Sequence, residues 1–250
     1  MSRFFIRTMA GVTCLLFLIS CDPKEQTLTG KQLIDASIEA HGGKRFFDST
    51  VQFRYEERDY TVAWKNRSPR FKAVRVLDTI TYVGTYEGGL QRYYENDSLI
   101  EENMHIRRFI DSKLEGLCYL FSIPYVFDQN AVIAERGEDV VIKRKNYHTV
   151  HISFTETEDG PGDEFYLYIN AETFLVDYYA DKYSLTGGRM LFKRAVNQRT
   201  VDGFVFSDFY MFEDRSGQVA LKDFYKGFND LTLNDLNKLE FEDIRIVPSE

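Results

Sequence analysis

Short runs in which apolar and polar residues alternate recur along almost the whole chain, and this feature restricts the fold most. Tyr and Phe are plentiful, with 16 and 21 copies, and together with Val and Ile they fill the alternating positions, as is typical of β-strands. The runs recur about every 10–15 residues with Gly, Asn or Asp between them, which predicts a meander of antiparallel strands. We expect strands at residues 51–55, 60–64, 70–77, 79–86, 90–95, 131–136, 139–144, 147–155, 164–170, 174–182, 189–200, 204–213, 217–225 and 241–247.

Two stretches interrupt this pattern with apolar residues at helical spacing. Residues 30–41 follow Thr29, which can cap a helix, and they end before Gly42-Gly43, a common helix terminus. Residues 104–121 carry a second apolar stripe with charged residues opposite it. His41 falls in the last turn of the first helix, where a positive charge would interact favourably with the helix dipole.

The first residues have the parts of a secretory signal in order. Arg3 and Arg7 precede an apolar run at residues 9–19. This run is shorter than the roughly 20 residues that a transmembrane helix needs. We therefore predict that residues 1–20 are a signal peptide, which is removed from the mature protein.

The end of the apolar run, Leu18-Ile19-Ser20-Cys21, resembles the lipobox of bacterial lipoproteins. The resemblance implies that the Cys21 thiol carries a diacylglyceryl group and that Cys21 is the first mature residue. Several acyl chains on one cysteine hold a protein on a membrane stably. We expect residues 21–29 to be the lipidated cysteine and a flexible tether, and residues 30–250 to form one domain. The alternative is a plain secretory signal that ends beside an unrelated cysteine.

This address places the protein in the bacterial cell envelope, with the outer membrane and a periplasm-facing domain as the expected location. Without Arg3 and Arg7 the 31 basic residues become 29, against 39 acidic residues, so the mature net charge is −10. There is no basic cluster, and we expect no nucleic-acid partner. Cys118 is the one cysteine left for the domain, and its apolar neighbours favour burial over reactivity.

No residue pattern indicates a catalytic or metal site. His148 and His151 lie three residues apart on a predicted strand, so their side chains point to opposite faces. The acidic turn at residues 156–163, with Glu164 beside it, lacks the ligand pattern of a calcium loop and is typical of a solvated hairpin tip. The sequence therefore predicts neither an enzyme nor a bound cofactor.

Some strands are apolar on both faces, which requires a cover on both faces. At residues 165–169, Phe165, Leu167 and Ile169 alternate with two tyrosines. At residues 204–212 we expect one face to carry Phe204, Phe206, Tyr210 and Phe212, and the other Val205, Phe209 and Met211. The two predicted helices would cover the second face and either fill the space or leave an apolar cleft, and the sequence leaves both possible.

Three stretches resemble the LolA/LolB superfamily of lipoprotein carriers. They are the helix that ends in Ala40-His41-Gly42-Gly43 before Phe53 and Tyr55, the segment Asp163–Tyr179 (DEFYLYINAETFLVDYY), and the segment Val201–Tyr210 (VDGFVFSDFY). The resemblance implies a mainly β fold: a curved antiparallel half-barrel whose concave face is covered by an N-terminal helix and one helical insertion. In LolA and LolB that apolar concave face holds acyl chains.

The resemblance and the residues together predict a membrane-anchored carrier or chaperone that binds a lipid or an acyl-bearing molecule. The candidate residues lining the ligand site are Phe53, Tyr55, Tyr60, Val62, Trp64, Phe109, Leu117, Phe165, Leu167, Phe204 and Phe206. Two alternatives remain at this point. One is a structural or interaction lipoprotein that has a filled core and binds another envelope protein, and the other is an enzyme whose site is not recognisable.

Overall fold

The computed structural model describes residues 27–101, 114–154, 162–183 and 188–247. The predicted signal peptide, Cys21, most of the tether, Phe109 and most of the acidic turn lie outside these residues. Within them, no helix has the length and the apolar character that crossing a membrane requires.

Antiparallel strands make up most of the described chain, as predicted, and they form two sheets. The first sheet has the order β15-β1-β2-β3-β4-β5-β6. Its strands are β1 (Thr50–Tyr55), β2 (Arg58–Lys65), β3 (Ser68–Leu77), β4 (Ile80–Glu87), β5 (Leu90–Glu95), β6 (Ser98–Ile100) and β15 (Glu242–Val247).

The second sheet has the order β14-β13-β12-β11-β10-β9-β7, and the short β8 also pairs with β9. Its strands are β7 (Val132–Arg136), β8 (Val140–Ile142), β9 (Lys145–Phe154), β10 (Glu164–Asn170), β11 (Val176–Tyr183), β12 (Arg189–Val201), β13 (Phe204–Glu213) and β14 (Asn234–Leu239). The two sheets do not close into a barrel, and the fold is the open half-barrel that we predicted.

Tight turns with positive φ connect many neighbouring strands. Gly88-Gly89 has φ values of 60° and 79°, and Asn96-Asp97 has values of 45° and 65°. Two central residues with positive φ make the turn twist in the same sense as the strands, which fixes the register of a two-residue hairpin. Glu56-Glu57 forms the same kind of turn, with φ values of 45° and 61°, at the position where the alternation of the first two strands changes parity.

Three α-helices accompany the sheets in the described chain: α1 (Gly30–Ala40), α2 (Leu114–Phe121) and α3 (Phe224–Asn229). The first matches its prediction, and its capping box joins Thr29 and Gln32. The second is the described end of the predicted helix 104–121.

The strand predicted at residues 217–225 is wrong. Its end forms a short 3-10 helix, Leu221–Asp223, followed by α3. Phe224 and Phe228 are four residues apart, so α3 presents both rings on one side to the second sheet.

A polar corner joins the two sheets where β14 passes into β15. Asp208 on β13 accepts hydrogen bonds from the backbone N–H of Phe241 (3.0 Å), from Arg199 Nη2 (3.1 Å) and from Asn197 Nδ2 (3.0 Å). Arg199 also donates to the carbonyl oxygen of Phe241. One buried carboxylate thus fixes the connection between the sheets to the middle of β13.

The core has two parts, which lie on the two faces of the second sheet. The inner cluster fills the space between the sheets, α1 and α2, and it contains Phe204, Phe206 and Phe209. The outer cluster lies under α3 and contains Phe192, Phe224 and Phe228. The second face is therefore covered by α3, and not by the two helices to which we assigned this role.

The strict alternation expected for residues 204–212 is also wrong, because Phe209 joins Phe204 and Phe206 in the inner cluster while Phe212 packs against the outer one. The pairing of β12 with β13 shifts register between Val196 and Arg199, and the irregular pairing changes which side chains share a face.

Candidate functional site

The concave interior of the half-barrel is the candidate site, and α2 is its cover. Phe121 on α2 stacks on Phe53 of β1, with ring centroids 3.9 Å apart, and on Phe206 of β13 at 5.1 Å. Tyr119 contacts the ring of Phe71 edge-on at 5.7 Å. Because Phe53 and Phe71 belong to the first sheet and Phe206 to the second, α2 packs against both sheets at once.

The described residues pack closely in the part of this interior beside α2. A small cavity beside α2 has a volume of about 10 Å³, and its lining includes His41, Phe121, Val176 and Phe206. A single water molecule needs about this much space. An acyl chain could enter this part of the interior only if a covering element moved.

The structure brings the predicted ligand-lining residues together as parts of one core. The buried ones are Phe53, Tyr60, Val62, Leu117, Phe165, Leu167, Phe204 and Phe206. Tyr55 and Trp64 are partly buried and pack against the same cluster, and Phe109 lies outside the described residues. Their role in binding a ligand remains a prediction.

Trp64 lies at the end of the interior where α1 is followed by a short 3-10 helix, Lys44–Asp48. Its ring contacts Phe47 edge-on at 5.1 Å and Phe46 at 6.3 Å. The indole N–H is buried and has no hydrogen-bond partner among the described residues. A buried donor without a partner is rare, and this N–H could bind a polar atom of a ligand.

A buried ion pair in the inner layer was not predicted from the sequence. Asp181 on β11 and Lys193 on β12 are hydrogen-bonded to each other, and their side chains are 0% and 3% exposed. The Lys193 ammonium also lies 5.0 Å from the ring centroid of Tyr179. Asp181 shares the parity of Tyr179 and Tyr183 on β11, and this alternation was the available signal that the carboxylate points inward.

Burial dominates the electrostatics of this pair. Desolvation raises the pKa of Asp181 and lowers the pKa of Lys193, while their mutual attraction and hydrogen bond act in the opposite direction. The Tyr179 hydroxyl is buried without a partner among the described residues, and burial raises its pKa strongly. The wall of an otherwise apolar interior thus carries an acid, a base and a free hydroxyl.

A second polar group lies where α2 meets the first sheet. Burial raises the pKa of Glu115, and the hydrogen bond from Tyr86 opposes that shift. Tyr119, one turn further along α2, also takes part in this network, and burial raises its pKa. These contacts hold the start of α2 to β4 through polar groups rather than through close apolar packing alone.

His41 does not play the charged role that its position at the helix end suggested. It is 4% exposed, and burial lowers its pKa to about 4. Its Nδ1 donates to the carbonyl oxygen of Ser37 at 2.8 Å. Its own carbonyl accepts from the Tyr125 hydroxyl at 2.6 Å and from the backbone N–H of Val205 at 2.9 Å. A neutral His41 therefore connects α1 to the second sheet.

His148 and His151 lie on opposite faces of β9, as predicted. His148 Nδ1 is 3.1 Å from Asp139, and His151 Nε2 is 3.2 Å from Glu164. In the described part of the chain, no three His, Cys, Asp or Glu side chains cluster as metal ligands would. Cys118 is buried, in line with its apolar neighbours.

Comparison with known proteins defines the family and the fold. The model of a family described as "Family of unknown function (DUF6503)" matches residues 10–240. A LolA superfamily protein from Nitrosomonas europaea is similar in structure, with a TM-score of 0.53 and 11% sequence identity over 88% of this chain and 94% of that chain. A DUF1329 family protein from Desulfovibrio piger covers 83% of this chain and 100% of its own, with a TM-score of 0.46 and 11% identity. No curated protein matches. The similarity to the LolA superfamily protein, at 11% sequence identity, establishes a LolA-like fold for this chain.

Proposed function

Since this chain belongs to the DUF6503 family, whose function is unknown, and has a LolA-like fold, we propose that it is a membrane-anchored lipoprotein that carries an apolar ligand in the bacterial envelope. The observation that supports this proposal best is the position of α2. The described part of α2, together with α1, covers the aromatic interior between the two sheets, and outward movement of α2 would free an apolar groove that is already shaped by the sheets.

The ligand we propose is a lipid or another acyl-bearing molecule. Each buried methylene contributes roughly 0.8 kcal/mol before the entropy of binding is subtracted. A chain of about 14 to 18 carbons can therefore displace α2 contacts and still bind with micromolar affinity. The resemblance to LolA and LolB supports the same ligand class.

Trp64 provides the test, because aromatic contacts connect it to α2. Its ring contacts Phe46, which lies 6.5 Å from Phe206, and Phe206 stacks on Phe121 of α2. We expect palmitate, added to the full-length chain carrying Cys21→Ser, to change the Trp64 emission saturably. Unchanged emission across palmitate and phospholipids, with no lipid found by mass spectrometry of the purified protein, would contradict the proposal.

A matched pair of variants identifies the binding surface. Leu117→Ala shortens a buried side chain on α2, and Leu33→Ala does the same on α1. Both variants should be less stable than the wild type. If α2 is the cover that moves, palmitate affinity should change in Leu117→Ala. In Leu33→Ala it should stay within a factor of about two, which is less than 1 kcal/mol because a factor of ten is 1.4 kcal/mol. Equal changes in both variants would speak against α2 as the cover.

The anchor is tested separately. Cys21→Ser should abolish palmitate labelling in cells and leave the precursor uncleaved, because no thiol is left to acylate. Continued labelling of the variant would show that the lipobox interpretation is wrong. The outer membrane is the location we propose for the acylated protein, and fractionation of labelled cells measures it.

A second candidate function rests on the outer face of the first sheet. Val74, Val83, Tyr94 and Leu99 are directly opposed across β3 to β6, and Val76 lies beside them. Val76 and Leu99 are 63% and 66% exposed. An apolar strip on an open sheet face is typical of protein contact sites, so this face fits the alternative of a lipoprotein that binds another envelope protein.

Photo-crosslinking in cells tests whether this apolar strip binds another protein. A photoreactive residue at Leu99 should give a protein adduct in cells if the strip is an interface. The same residue at Lys72, on the same face but outside the strip, is the control. Adducts from both positions or from neither would count against a specific partner here.

A further inference from the structure

The second sheet carries a pocket on its outer face, separate from the inner cluster. The pocket has a volume of about 300 Å³, which lies at the lower end of the range for small-molecule sites. The buried residues Ile142, Tyr147 and Tyr178 form its floor. The β8–β9 turn and the middle of β12 form its walls.

Two neighbouring β-bulges create this pocket. On β11, Asp177 is an extra residue, because Tyr178 and Val176 pair with consecutive residues of β10. On β12 the register also shifts, and Asn197 and Gln198 oppose one residue of β13. Gln198 Nε2 lies 3.4 Å from Asp177 Oδ1 and connects the two bulges. Bulges redirect side chains and are frequent beside functional sites, and two side by side open a gap in the outer surface.

The charge around the pocket is positive. Lys143, Lys145 and Arg194 line it, and none of the three forms an ion pair with a carboxylate of the described residues. Arg194 Nε is buried without a hydrogen-bond partner in the described chain. The one acid, Asp177, already accepts hydrogen bonds from the Tyr147 hydroxyl (3.0 Å) and from Asn170 Nδ2 (2.9 Å). Lys143 Nζ donates to the carbonyl oxygen of Asn229 at 3.0 Å, which leaves its charge unneutralised. The pocket therefore offers positive charge and the Arg194 Nε donor to an anion, and the acceptors of its acid are occupied.

We propose that this pocket binds the phosphate group of a small organic phosphate or of an anionic lipid headgroup. Arg194 is the central ligand, because a guanidinium donates two parallel hydrogen bonds to phosphate oxygens. Lys143 and Lys145 add charge at the rim, and the rings of Tyr147 and Tyr178 contact the organic part of the ligand. The site lies on the opposite face of the sheet from the proposed acyl site, so neither proposal depends on the other.

Isothermal titration calorimetry of the full-length protein in nonionic detergent micelles tests the proposal with two probes. Glycerol 3-phosphate represents the free organic phosphate. Micelles doped with phosphatidylglycerol represent the headgroup, and micelles doped with the zwitterionic phosphatidylcholine are their control. We expect one probe or both to bind with a Kd of about 10–100 µM, more weakly as salt screens the charges. Binding of glycerol 3-phosphate alone assigns a soluble ligand, and binding of phosphatidylglycerol alone assigns a headgroup.

Three variants make the test specific. Arg194→Gln should weaken binding at least tenfold. Lys145→Gln changes an exposed side chain, so it should leave the fold intact. It should weaken binding about threefold, in line with a fraction of a kcal/mol for one exposed charge. Lys72→Gln, which removes an equal charge from the first sheet, should leave binding unchanged. If neither probe binds, or if Lys72→Gln weakens binding as much as Lys145→Gln and Arg194→Gln do, the pocket is not a phosphate site.

Discussion

Buried polar residues are the part of this protein that the sequence did not reveal. Alternation places Asp181 and Lys193 on inward-facing positions, but a charge at such a position is ordinarily assigned to the surface because its burial is costly. Only the structure shows that the two residues neutralise each other across β11 and β12. The opposite case is His41, whose place at a helix end suggested a charge that burial removes.

His41 gives a pH dependence that can be measured. Its pKa of about 4 in the folded protein lies below the ordinary histidine pKa of 6.5, so the unfolded chain binds the proton more tightly. Its contribution to stability is therefore complete above pH 6.5 and is lost as the pH falls from 6.5 to 4. The shift corresponds to about 3 kcal/mol.

Chemical denaturation at several pH values checks this prediction. The wild type should lose more unfolding free energy between pH 7 and pH 4 than His41→Asn does, and a comparison at pH 8 corrects for the packing that the variant loses. Parallel pH profiles of the two proteins would show that another group causes the acid destabilisation.

The Asp181–Lys193 pair yields a double-mutant cycle. Asp181→Leu and Lys193→Met each leave one buried charge unpaired and should each lower the unfolding free energy by about 3–5 kcal/mol. The double variant should be more stable than either single variant and lie within about 1 kcal/mol of the wild type, because no charge remains buried. Additive losses in the double variant would mean that the two side chains do not act as a pair.

At the scale of elements, regular alternation and turn chemistry predicted most strands, and the failures have physical causes. Asn96-Asp97 and Asp202-Gly203 contain residues that tolerate positive φ, and both are hairpin turns. Glu56-Glu57 forms such a turn without any such residue, so only the parity change on either side indicated it. The segment at residues 217–225 contains alternating apolar residues over too short a length to distinguish a strand from a short helix.

The end of α1 shows how one element is positioned by close backbone approach. Gly42 has a φ of 121°, and a Cβ at this position would lie 2.5 Å from the carbonyl oxygen of Gly203 in the β12–β13 turn. Arg45 binds the same turn, since its Nη2 donates to the carbonyl oxygen of Asp202 at 2.8 Å. The helix end can reach β12 and β13 only because no side chain stands between them.

Gly42→Ala should therefore cost at least about 3 kcal/mol of unfolding free energy, since it adds a steric clash to backbone strain. Gly89→Ala is the matched control, because Gly89 also has a positive φ of 79° but has no atom within 4 Å of the added Cβ. Its cost should be about 1 kcal/mol. Thermal unfolding of both variants gives the two values, and equal losses would mean that the approach to Gly203 relaxes freely.

At the scale of the whole molecule, the resemblance of three short stretches to the LolA/LolB superfamily predicted the half-barrel correctly. The sequence could not predict whether the interior of the half-barrel is filled or open. Both a filled core and an open cleft require apolar residues on the concave face. The side chains of Phe53, Phe121 and Phe206 satisfy either requirement, and only the structure shows that the three rings stack closely beside α2. The division into two sheets also depends on Asp208, whose partners lie up to 33 residues away in sequence.

This connection leads to a prediction about cooperativity. The inner cluster contains residues of both sheets, so the sheets should unfold together even when the corner between them is weakened. Asp208→Ala removes the acceptor for Phe241, Arg199 and Asn197 and should lower the unfolding free energy by about 3 kcal/mol. Two probes follow the unfolding: Trp64 emission reports on the first sheet, and far-UV circular dichroism reports on all strands. Both transitions should shift to lower denaturant concentration by the same amount.

Asp235→Ala is the control, because Asp235 has an exposed side chain on β14. It should change the unfolding free energy from either probe by no more than about 0.5 kcal/mol. If Asp208→Ala moves the circular dichroism transition and leaves the Trp64 transition in place, the two sheets are separate folding units, and the shared core does not couple them.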